Sequence, residues 1–358
     1  MIALDNLIFD LQKVGGVSKV WAKIIQNLDK RSKRIKFLES RKSKQNIFRK
    51  EVSLENKIIT EYLPSAIRRI IPSFVKSEIY HSSYYRISLM SKYNVVTIHD
   101  FINELYPNNF NDFILSIIKR ISCKLADKII VVSEQTKSDM LKFYKDIPSS
   151  RIHVVHNGVD DDFYPEVNES FQINNNTFNR NNYFLYVGTR GECKNFQYVC
   201  KTLSEYNHKN KKRQLVVVGG TDFNEKEYKN IAELGLKKED IVHIKQISNH
   251  QLRLLYSNTI ALLIPSVYEG FGLPALEAAR CKALVLTSSG GALEEIVGKN
   301  KYAFNLNIDK DFCRVVNLGF ENEAAEHARE QMYLNSQKFS WQGAADKYLK
   351  IYEELLQQ

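Results

Sequence analysis

The stretch ALLIPSVYEGFGLPALEA, residues 261–278, contains the sequence signals of one strand, one turn and one helix. Its beginning, 261–264, is short and apolar on both faces, which is typical of a strand buried in a parallel sheet. Glycines follow, and then Pro274, a residue favoured in the first turn of a helix. The stretch therefore predicts a strand that continues through a glycine turn into a helix, with the carboxylates of Glu269 and Glu277 around the turn.

Similar short apolar runs recur along the chain, each ending in small or polar residues. They are residues 95–98 before His99, 128–132 before Ser133, 184–187 before Gly188, 215–218 before Gly219 and 283–286 before Thr287. Between them the apolar residues have helical spacing, as in the series Phe113, Ile117, Ile118, Ile121 and Leu125. Alternating strands and helices predict α/β layers around parallel sheets. In such sheets ligands bind beyond the carboxyl ends of the strands, so the residues after each run are candidates for a functional site.

The chain of 358 residues is long enough for two domains, each with its own core. The Asn-rich stretch VNESFQINNNTFNRNN, residues 167–182, has no apolar period and predicts a linker or an exposed loop. We therefore expect two doubly wound domains, residues 1–165 and 183–339, joined by a linker at 166–182. Aromatic and aliphatic residues with helical spacing predict that 340–358 is a docking helix that belongs with the first domain.

The formal net charge of +10 is concentrated in part at 30–50, where ten Lys or Arg accompany the single acidic residue Glu39. A second basic pair occupies positions 68–69 beside apolar residues. Such stretches bind anionic lipid, nucleic acid or a phosphate-rich substrate, or simply form a solvated face. Because neither aromatic-basic interleaving nor a helix-turn-helix pattern accompanies them, nucleic acid is the weakest of these interpretations.

The cysteines Cys123, Cys193, Cys200, Cys281 and Cys313 are odd in number and scattered, and none forms a CxxC motif. This pattern favours reduced thiols in a cytosolic protein over disulfides or zinc. No apolar stretch of the sequence is long enough to span a membrane. The first residues, MIALDNLIFDLQ, contain no basic leader of the kind found in signal peptides. We therefore expect a globular protein that is not secreted.

Two of the loops have the chemistry of anion sites. Gly15 and Gly16 precede an apparent helix, where backbone amides and the helix dipole favour an anion, although a plain turn has the same pattern. Arg190 and Lys194 follow a strand that ends in glycine, and two cations at this spacing suit a pyrophosphate, or else a charged surface loop.

His99 at a strand end would donate to a sugar hydroxyl, move a proton, or serve a structural role.

The glycine turn quoted first combines an anion site with two hydrogen-bond acceptors. Glu277 falls about one turn inside the predicted helix, and the amides of Gly272 and Leu273 would face the same ligand as Glu269. Carboxylates in this position suit sugar hydroxyl groups. A second loop of this kind, SSGGALEEI at 288–296, repeats the order of strand, glycine and helix.

The pattern Glu, seven residues, Glu in YEGFGLPALEA resembles the signature of family 4 retaining glycosyltransferases of the GT-B fold. The resemblance continues in order over nearly the whole chain through GGVSKV, TIHDF, IVVSEQTKSDM, HNGVD, YVGTRGECKN, LVVVGG and SSGGALEEIVG. It implies two Rossmann-like domains that face a central cleft, with the C-terminal helix crossing back to the N-terminal domain. It also implies that the C-terminal domain binds a nucleoside diphosphate sugar and that the N-terminal domain holds the acceptor.

The resemblance also implies roles for individual side chains. Glu277 would bind the ribose hydroxyls, and Glu269 would bind the hydroxyls of the transferred sugar. Arg190 and Lys194 would neutralise the departing diphosphate, and His99 would contact the donor sugar near the reacting carbon. Glu277 and Glu269 form the donor clamp. The catalytic set implied is His99, Glu269, Arg190 and Lys194.

The remaining donor-binding positions implied by the resemblance are small or turn residues, namely Gly15, Gly16, Gly188, Gly219, Gly270, Phe271, Gly272 and Leu273. The amide of Gly16 would contact the diphosphate. The sequence departs from the family at one point, because the common Gly-Arg pair reads Gly188-Thr189-Arg190 here, which shifts the cation along the loop.

The activity implied is metal-independent, retaining transfer of a hexose from a nucleoside diphosphate sugar, GDP-mannose before a UDP-sugar, to a glycan or polyprenyl-linked acceptor of surface polysaccharide such as O-antigen or capsule. No cofactor is expected, because cations and helix N-termini stabilise the leaving group. The aspartates at 160–162 resemble metal ligands, but they follow HNGV, where the family has a similar turn. The protein would act in the cytoplasm, with the basic residues 30–50 and 68–69 on the inner face of the membrane.

Two other interpretations compete with this one. A glycoside hydrolase would use Glu269 and Glu277 as its acid and base, but a helical position beside a glycine turn does not present both carboxyl groups across one bond. A nucleotide-sugar-binding regulator without turnover would not need the full set of His99, Arg190, Lys194 and both glutamates.

Overall fold

The computed structural model describes residues 1–107, 109–308 and 311–358, with the backbone alone at 313, 316 and 317. The chain divides into two compact units. Unit 1 comprises residues 1–158 and 339–358, and unit 2 comprises residues 159–338. Unit 2 is therefore an insertion between the larger part of unit 1 and its last helix.

Unit 1 is built on parallel strands, namely β1 (Ile2–Asp5), β2 (Ile35–Glu39), β3 (Ile58–Thr60), β4 (Ile79–Ser82), β5 (Tyr93–Ile98), β6 (Lys128–Val131) and β7 (Ile152–Val154). They form a seven-stranded sheet in the order β3-β2-β1-β4-β5-β6-β7. The helices of this unit are α1 (Ile8–Leu11), α2 (Gly16–Asp29), α3 (Ile47–Glu51), α4 (Ser65–Arg68), α5 (Ile102–Leu105), α6 (Phe110–Leu125) and α7 (Glu134–Phe143). Short 3₁₀ turns lie at Arg41–Gln45 and Ser149–Arg151.

Unit 2 has an antiparallel hairpin, β8 (Ser170–Ile173) and β9 (Asn176–Asn179), followed by the strands β10 (Tyr183–Val187), β11 (Gln214–Val218), β12 (Ile241–Ile244), β13 (Leu262–Ile264) and β14 (Val285–Thr287). The last five form a parallel sheet in the order β12-β11-β10-β13-β14. Its helices are α8 (Phe196–Lys209), α9 (Glu225–Glu233), α10 (Asn249–Asn258), α11 (Leu273–Arg280), α12 (Gly291–Val297), α13 (Asp311–Asn317) and α14 (Glu323–Ser336). Further 3₁₀ turns lie at Glu192–Lys194 and Lys238–Asp240.

Every apolar run singled out in the sequence is a strand of one of the two parallel sheets. They correspond to β5, β6, β10, β11, β13 and β14, and their central residues are buried. In each sheet the strand order reverses once, between β1 and β4 and between β10 and β13. This reversal is the topological switch point of a doubly wound sheet, and the predicted α/β fold is confirmed.

The predicted docking helix is α15 (Trp341–Leu356), which packs against α2. Its aromatic face covers the buried ring of His81: Tyr352 Oη lies 2.5 Å from Nδ1, and the Tyr348 ring stacks at 5.6 Å. Thr97 Oγ1 lies 2.9 Å from Nε2 of the same imidazole. Burial, with a smaller effect of the nearby His99, lowers the pKa of His81 to about 3, so the ring is neutral at physiological pH.

Gly158, at the end of the main part of unit 1, makes a close backbone contact with the start of α15. A Cβ atom at this position would lie 2.1 Å from the backbone nitrogen of Trp341 and 2.4 Å from the carbonyl carbon of Ser340. Only glycine allows the two segments to pass this closely. The exit of the chain from unit 1 is therefore adjacent to its return.

The Asn-rich segment that we expected to be a linker at 166–182 instead carries the β8–β9 hairpin of unit 2. Ile173 and Phe178 are buried, and the Phe178 ring packs edge-on against Tyr183 at 5.5 Å. Asn174 adopts a left-handed conformation, with φ of 53°, in the turn. Asparagine tolerates this conformation, so the high asparagine content of the segment fits a tight turn as well as a linker.

Part of the basic sequence is not on the surface. The Arg68 side chain is fully buried, and its guanidinium pairs with the carboxylates of Asp5, Asp10 and Glu61. Arg49 is also buried, against Glu39. The proposed contact of the basic residues 30–50 and 68–69 with a membrane therefore does not extend to Arg49 and Arg68, because a cation held by buried carboxylates is not available to a membrane.

Cys123, Cys193, Cys200 and Cys281 form no disulfide, whereas the side chain of Cys313 lies outside the described part of the structure. None of the described helices combines the length and the apolar character needed to cross a membrane.

Candidate active site

The switch point of unit 2 defines the position of the candidate site. β10 and β13 are neighbours there, and their carboxyl ends lead into the loops 188–195 and 265–272. Because parallel strands end at the same edge of a sheet, these loops lie side by side. The backbone amide of Val267 donates to the carbonyl of Cys193 at 2.9 Å and joins the two loops.

Lys194 and Glu269 form an ion pair between these loops. Lys194 Nζ lies 2.6 Å from Glu269 Oε1, which also accepts a hydrogen bond from Ser266 Oγ at 2.8 Å. Asn195 ends the turn that carries the lysine in a left-handed conformation, with φ of 52°. The side chains of the pair are 33% and 14% exposed, so a cation and a carboxylate are presented together at this edge of the sheet.

The chain after Glu269 turns sharply into α11. Gly272 has φ of 105°, and a Cβ atom there would lie 2.5 Å from Leu293 Cδ2 on α12, so the position requires glycine. Pro274 follows in the first turn of the helix. The amino end of α11 therefore lies beside the ion pair, where it favours an anion. The other predicted donor-binding residues of this turn are Gly270, Phe271 and Leu273.

Glu277 lies on α11 and is only 5% exposed. Tyr256 on α10 donates a hydrogen bond from Oη to Glu277 Oε2 at 3.2 Å. Burial, followed by the charge of Glu277, raises the pKa of Tyr256 well above its usual value, so the hydroxyl remains a donor. Glu277 is thus a buried and oriented carboxylate, suited to accept hydrogen bonds from paired hydroxyl groups.

Arg190 lies in the same loop as Lys194, but its guanidinium contacts residues after β11 and not the Lys194–Glu269 pair. Its guanidinium pairs with Glu227 at 2.7 Å, donates to the carbonyls of Thr221 and Asp222, and lies 3.9 Å from the centroid of the Phe223 ring. The side chain is 5% exposed. The structure therefore brings Arg190 to the loop after β11 rather than to the ion pair, where it fixes the shape of that loop.

Two predicted glycines occupy the ends of β10 and β11. Gly188 has φ of 142° and Gly219 has φ of 91°, and a Cβ on Gly219 would lie 3.5 Å from the Gly188 carbonyl oxygen. His243 Nε2 lies 2.9 Å from the Gly219 carbonyl oxygen. The two strand ends therefore lie side by side without side chains, which leaves backbone accessible at this edge.

His99 follows β5 of unit 1 and is 8% exposed. Burial, together with the nearby charge of Lys119, lowers the pKa of His99 to about 4. Its Nε2 atom is buried and has no hydrogen-bond partner within the described residues. Lys119 is itself buried and donates to the Asp100 carbonyl at 3.0 Å and to Glu104 at 2.8 Å. The imidazole is therefore neutral near pH 7.

Gly15 and Gly16 begin α2, as the sequence predicted. A Cβ on Gly15 would lie 2.3 Å from Gln12 Oε1, whereas a Cβ on Gly16 would meet no atom within 4 Å. Ser18 Oγ donates to the Gly15 carbonyl at 2.9 Å. The start of α2 is thus held by local hydrogen bonds, and the backbone at Gly16 is open.

Among the aspartates at 160–162, Asp162 contributes to the local structure of unit 2. Asp162 accepts a hydrogen bond from Asn249 Nδ2 at 3.0 Å, and its carbonyl accepts one from Arg253 at 2.8 Å. Within the ranges that the structure describes, no group of three or more His, Cys, Asp or Glu side chains is arranged to hold a metal ion.

Comparison with known proteins connects this geometry to a family. The profile described as Glycosyl transferases group 1 matches residues 167–339, and that described as Glycosyltransferase Family 4 matches residues 14–163. The chain belongs to glycosyltransferase family 4. The two matches together cover both units, including the glycine turn at the start of α2 and the Lys194–Glu269 pair.

Among the relatives of this glycosyltransferase is the O-antigen chain mannosyltransferase RfbU of Salmonella typhimurium, which is 24% identical over 68% of this chain and 65% of that protein. The match therefore leaves about a third of RfbU's length uncovered. Sucrose-phosphate synthase from Thermosynechococcus elongatus has a TM-score of 0.73 at 16% identity, over 99% of this chain and 98% of that one. HepE of Anabaena, solved in complex with UDP and glucose, has a TM-score of 0.72 at 13% identity, over 98% and 99%. These similarities confirm the predicted GT-B fold.

Several residues of the candidate site were not predicted. Tyr256, which orients Glu277, lies on a different helix, and its own helix carries no motif that indicates the contact. Phe223 and Glu227, which hold Arg190, are distant in sequence in the same way. Ser266 follows the apolar run 261–264 and was among the candidate strand-end residues, but the sequence analysis gave it no role; the structure shows that it donates to Glu269.

Proposed function

We propose that this family 4 enzyme transfers a hexose, with retention of configuration, from a nucleoside diphosphate sugar to a glycan or polyprenyl-linked acceptor in O-antigen or capsule synthesis. GDP-mannose is the first candidate donor and a UDP-sugar the second. The relative RfbU is named an O-antigen chain mannosyltransferase, which favours mannose. The fold neighbour HepE was solved with UDP and glucose, which supports a UDP-sugar as the second candidate donor.

The observation that carries this proposal is the Lys194–Glu269 pair at the switch point, with the buried Glu277 on the helix that begins beside it. A diphosphate sugar needs a cation and helix amides for its phosphates and carboxylates for its hydroxyl groups. We assign Glu269 to the transferred sugar, Lys194 to the diphosphate and Glu277 to the ribose. The amide of Gly16 and the neutral imidazole of His99 are assigned to the diphosphate and the donor sugar.

The chemistry follows from these assignments. The bond between the anomeric carbon and the diphosphate oxygen breaks while the acceptor hydroxyl attacks from the face that the diphosphate leaves. A departing phosphate oxygen takes the hydroxyl proton, so no carboxylate acts as a nucleophile. The ammonium group of Lys194 and the amino end of α11 stabilise the charge that develops on the leaving group. Arg190 contributes indirectly, by fixing the loop after β11.

Nucleotide binding tests the proposed donor site. We expect the matching nucleoside diphosphate, among GDP, UDP and ADP, to raise the melting temperature, since a ligand at 100 times its Kd stabilises by about 2.7 kcal/mol. Glu277→Gln should lose most of this shift, because an amide replaces one of the two acceptor oxygens offered to the ribose. Glu330→Gln, on the exposed surface of α14, is the matched control and should keep the shift. An unchanged shift in Glu277→Gln would remove the ribose assignment.

Turnover separates the proposed transferase from its alternatives. A transferase releases the nucleoside diphosphate when donor and acceptor are both present. A regulator would bind the nucleotide without release, and a glycoside hydrolase would cleave a simple glycoside without any nucleotide. Either result would contradict the proposal. We also propose a cytoplasmic location, which accords with the absence of disulfides among the described thiols of Cys123, Cys193, Cys200 and Cys281.

A further inference from the structure

The helix α6 of unit 1 exposes its apolar residues and buries polar ones. Its exposed side chains, between 36% and 74% accessible, are Phe110, Phe113, Ile114, Ile117, Ile121 and Leu125. Its buried residues are Leu115, Lys119, Ser122 and Cys123. A helix on the surface of a globular unit ordinarily turns its apolar side inward. Most of α6 reverses this rule, because six large apolar side chains are exposed, whereas Lys119 and Ser122 are buried beside Leu115 and Cys123.

Buried polar contacts hold α6 in this orientation. Lys119 Nζ donates to the Asp100 carbonyl and to Glu104, and lies 4.8 Å from the Phe101 ring. Ser122 Oγ donates to the Tyr85 carbonyl. A rotation that buried the isoleucines would leave these groups without their partners, which costs about 1–3 kcal/mol for an unpaired polar group and about 3–5 kcal/mol for a buried charge that loses its partner. The apolar face is therefore fixed toward the outside of unit 1.

A second apolar segment lies next to α6. Ile67, Ile70 and Phe74 are 45%, 70% and 63% exposed. The guanidinium of Arg69 lies 5.4 Å from the Tyr84 ring, and that ring packs against Tyr85 at 4.7 Å. Since the Tyr85 carbonyl accepts the hydrogen bond from α6, the two segments are neighbours on unit 1. We call them together the apolar surface: the six exposed residues of α6 with Ile67, Ile70 and Phe74.

Cations lie around the apolar surface. Arg69 lies between Ile67 and Ile70 in the sequence, and Arg120 on α6 is about half exposed and pairs with Asp146 at 3.5 Å. The 3₁₀ turn Arg41–Gln45 adds exposed basic residues, namely Arg41, Lys42 and Lys44. This turn is held beside α4, because Ser40 Oγ and Arg68 Nη1 both bond Asp10 Oδ2 at 2.7 Å. The buried arginine that cannot reach a membrane thus positions basic residues that can.

We propose that the apolar surface is a membrane-docking face that inserts its Phe, Ile and Leu side chains among the acyl chains of an anionic bilayer. Its nonpolar side chains carry no hydrogen-bonding group, as an acyl environment requires, and the surrounding cations match anionic headgroups. Two copies of this chain meeting through the same face would bring those cations together, which disfavours a dimer. The inference rests on the proposed function only in the acceptor: a polyprenyl-linked acceptor would be held in the same bilayer.

Vesicle binding by the full chain tests the proposal. We expect flotation with vesicles of equal parts phosphatidylcholine and phosphatidylglycerol, and weaker binding to phosphatidylcholine alone. The double variant Ile117→Glu/Ile121→Glu should lower the partition coefficient by about a hundredfold or more, from the apolar burial that two isoleucines lose. The double variant Arg69→Gln/Arg120→Gln should lower binding to the anionic vesicles by about tenfold and leave the weak binding to neutral vesicles unchanged.

The matched control is Leu334→Glu, a substitution at an exposed leucine on α14 of unit 2, which should bind vesicles as the unmodified chain does. Ile117, Ile121, Arg120 and Leu334 are exposed and Arg69 is half-buried, so the melting temperatures of the isoleucine and leucine variants should stay close to that of the unmodified chain. Binding that Ile117→Glu/Ile121→Glu leaves intact would overturn the proposal. So would sedimentation of the unmodified chain as a dimer that this variant dissociates, with no vesicle binding. The nucleotide-induced melting shift is measured on the same samples: if it persists while vesicle binding fails, the membrane face alone is refuted.

Discussion

At the scale of single residues, the Lys194 ammonium is the group on which the proposed chemistry most depends. Lys194→Met removes the charge and keeps much of the side-chain length. We expect kcat to fall by about 10²–10³-fold, the usual effect of removing one group that stabilises developing negative charge. Steady-state kinetics with the donor identified by nucleotide binding would measure this loss.

Lys229→Met, on the exposed side of α9, is the control for general effects of losing a lysine and should retain full kcat. If Lys194→Met changed KM alone, the lysine would bind donor and transition state equally, and its assignment to the leaving group would be incorrect.

His99 gives a residue-scale prediction about pH. Its pKa is lowered to about 4 in the folded protein by burial, then by Lys119, whereas an unfolded histidine titrates near pH 6.5. The unfolded chain therefore binds this proton first, and the free energy of unfolding falls as the pH drops from about 6.5 to about 4. The contribution of this one group is roughly 3 kcal/mol over that window.

His99→Asn should therefore make the free energy of unfolding less dependent on pH between these limits, as measured by urea denaturation at a series of pH values. Equal slopes in the unmodified chain and in His99→Asn would mean that this imidazole is not buried in a neutral form.

At the scale of secondary-structure elements, the contact between Gly158 and α15 carries a stability prediction. Gly158→Ala places a methyl group against the backbone of Trp341, so either α15 or the chain around residue 158 must move. We expect a loss of about 3 kcal/mol or more, in the range of severe steric substitutions. Urea denaturation would measure it.

Gly191→Ala is the matched comparison for that substitution. Its φ of −66° is compatible with alanine, and a Cβ there meets no atom within 4 Å. This variant should be as stable as the unmodified chain or slightly more stable. Comparable stability of the two alanine variants would show that the approach of α15 to Gly158 is looser than described.

The elements also show what sequence can and cannot predict. The strands β5, β6, β10, β11, β13 and β14 were predictable because their apolar residues are consecutive, and the glycine turn before α11 was predictable because its residues are adjacent. The exposure of the apolar face of α6 was not predictable, because helical spacing identifies an apolar face but does not show whether other residues cover it. The decision is made by Lys119 and Glu104, fifteen positions apart, and by Ser122 with Tyr85.

The same reasoning applies to charges. Arg68 looked like part of a basic surface, yet its partner Asp5 lies 63 positions away in the sequence. Arg190 was correctly placed in the loop after β10, but Glu227, 37 positions further on, turns its guanidinium toward a neighbouring loop. A local motif predicts where a side chain starts, whereas the long-range fold decides which group it contacts.

At the scale of the whole molecule, two parallel sheets were predictable from alternating strands and helices, and the family follows from the ordered motifs on both. The boundary between the units was less accessible, because the hairpin at 170–179 has the composition of a linker and the packing of a sheet. Each strand of the hairpin buries one apolar residue, Ile173 or Phe178, which is a weak signal within many asparagines.

The insertion of unit 2 between residue 158 and α15 has a consequence for biosynthesis. The ribosome synthesises the chain from the amino end to the carboxyl end, and domains generally fold as they emerge from it. Here all of unit 2 emerges before the helix that covers His81 and completes the first sheet's packing. On the nascent chain, the surface of unit 1 that α15 covers therefore stays exposed until all of unit 2 and then α15 have been synthesised. A premature stop that removed residues 339–358 would damage unit 1, although its other residues are synthesised before unit 2.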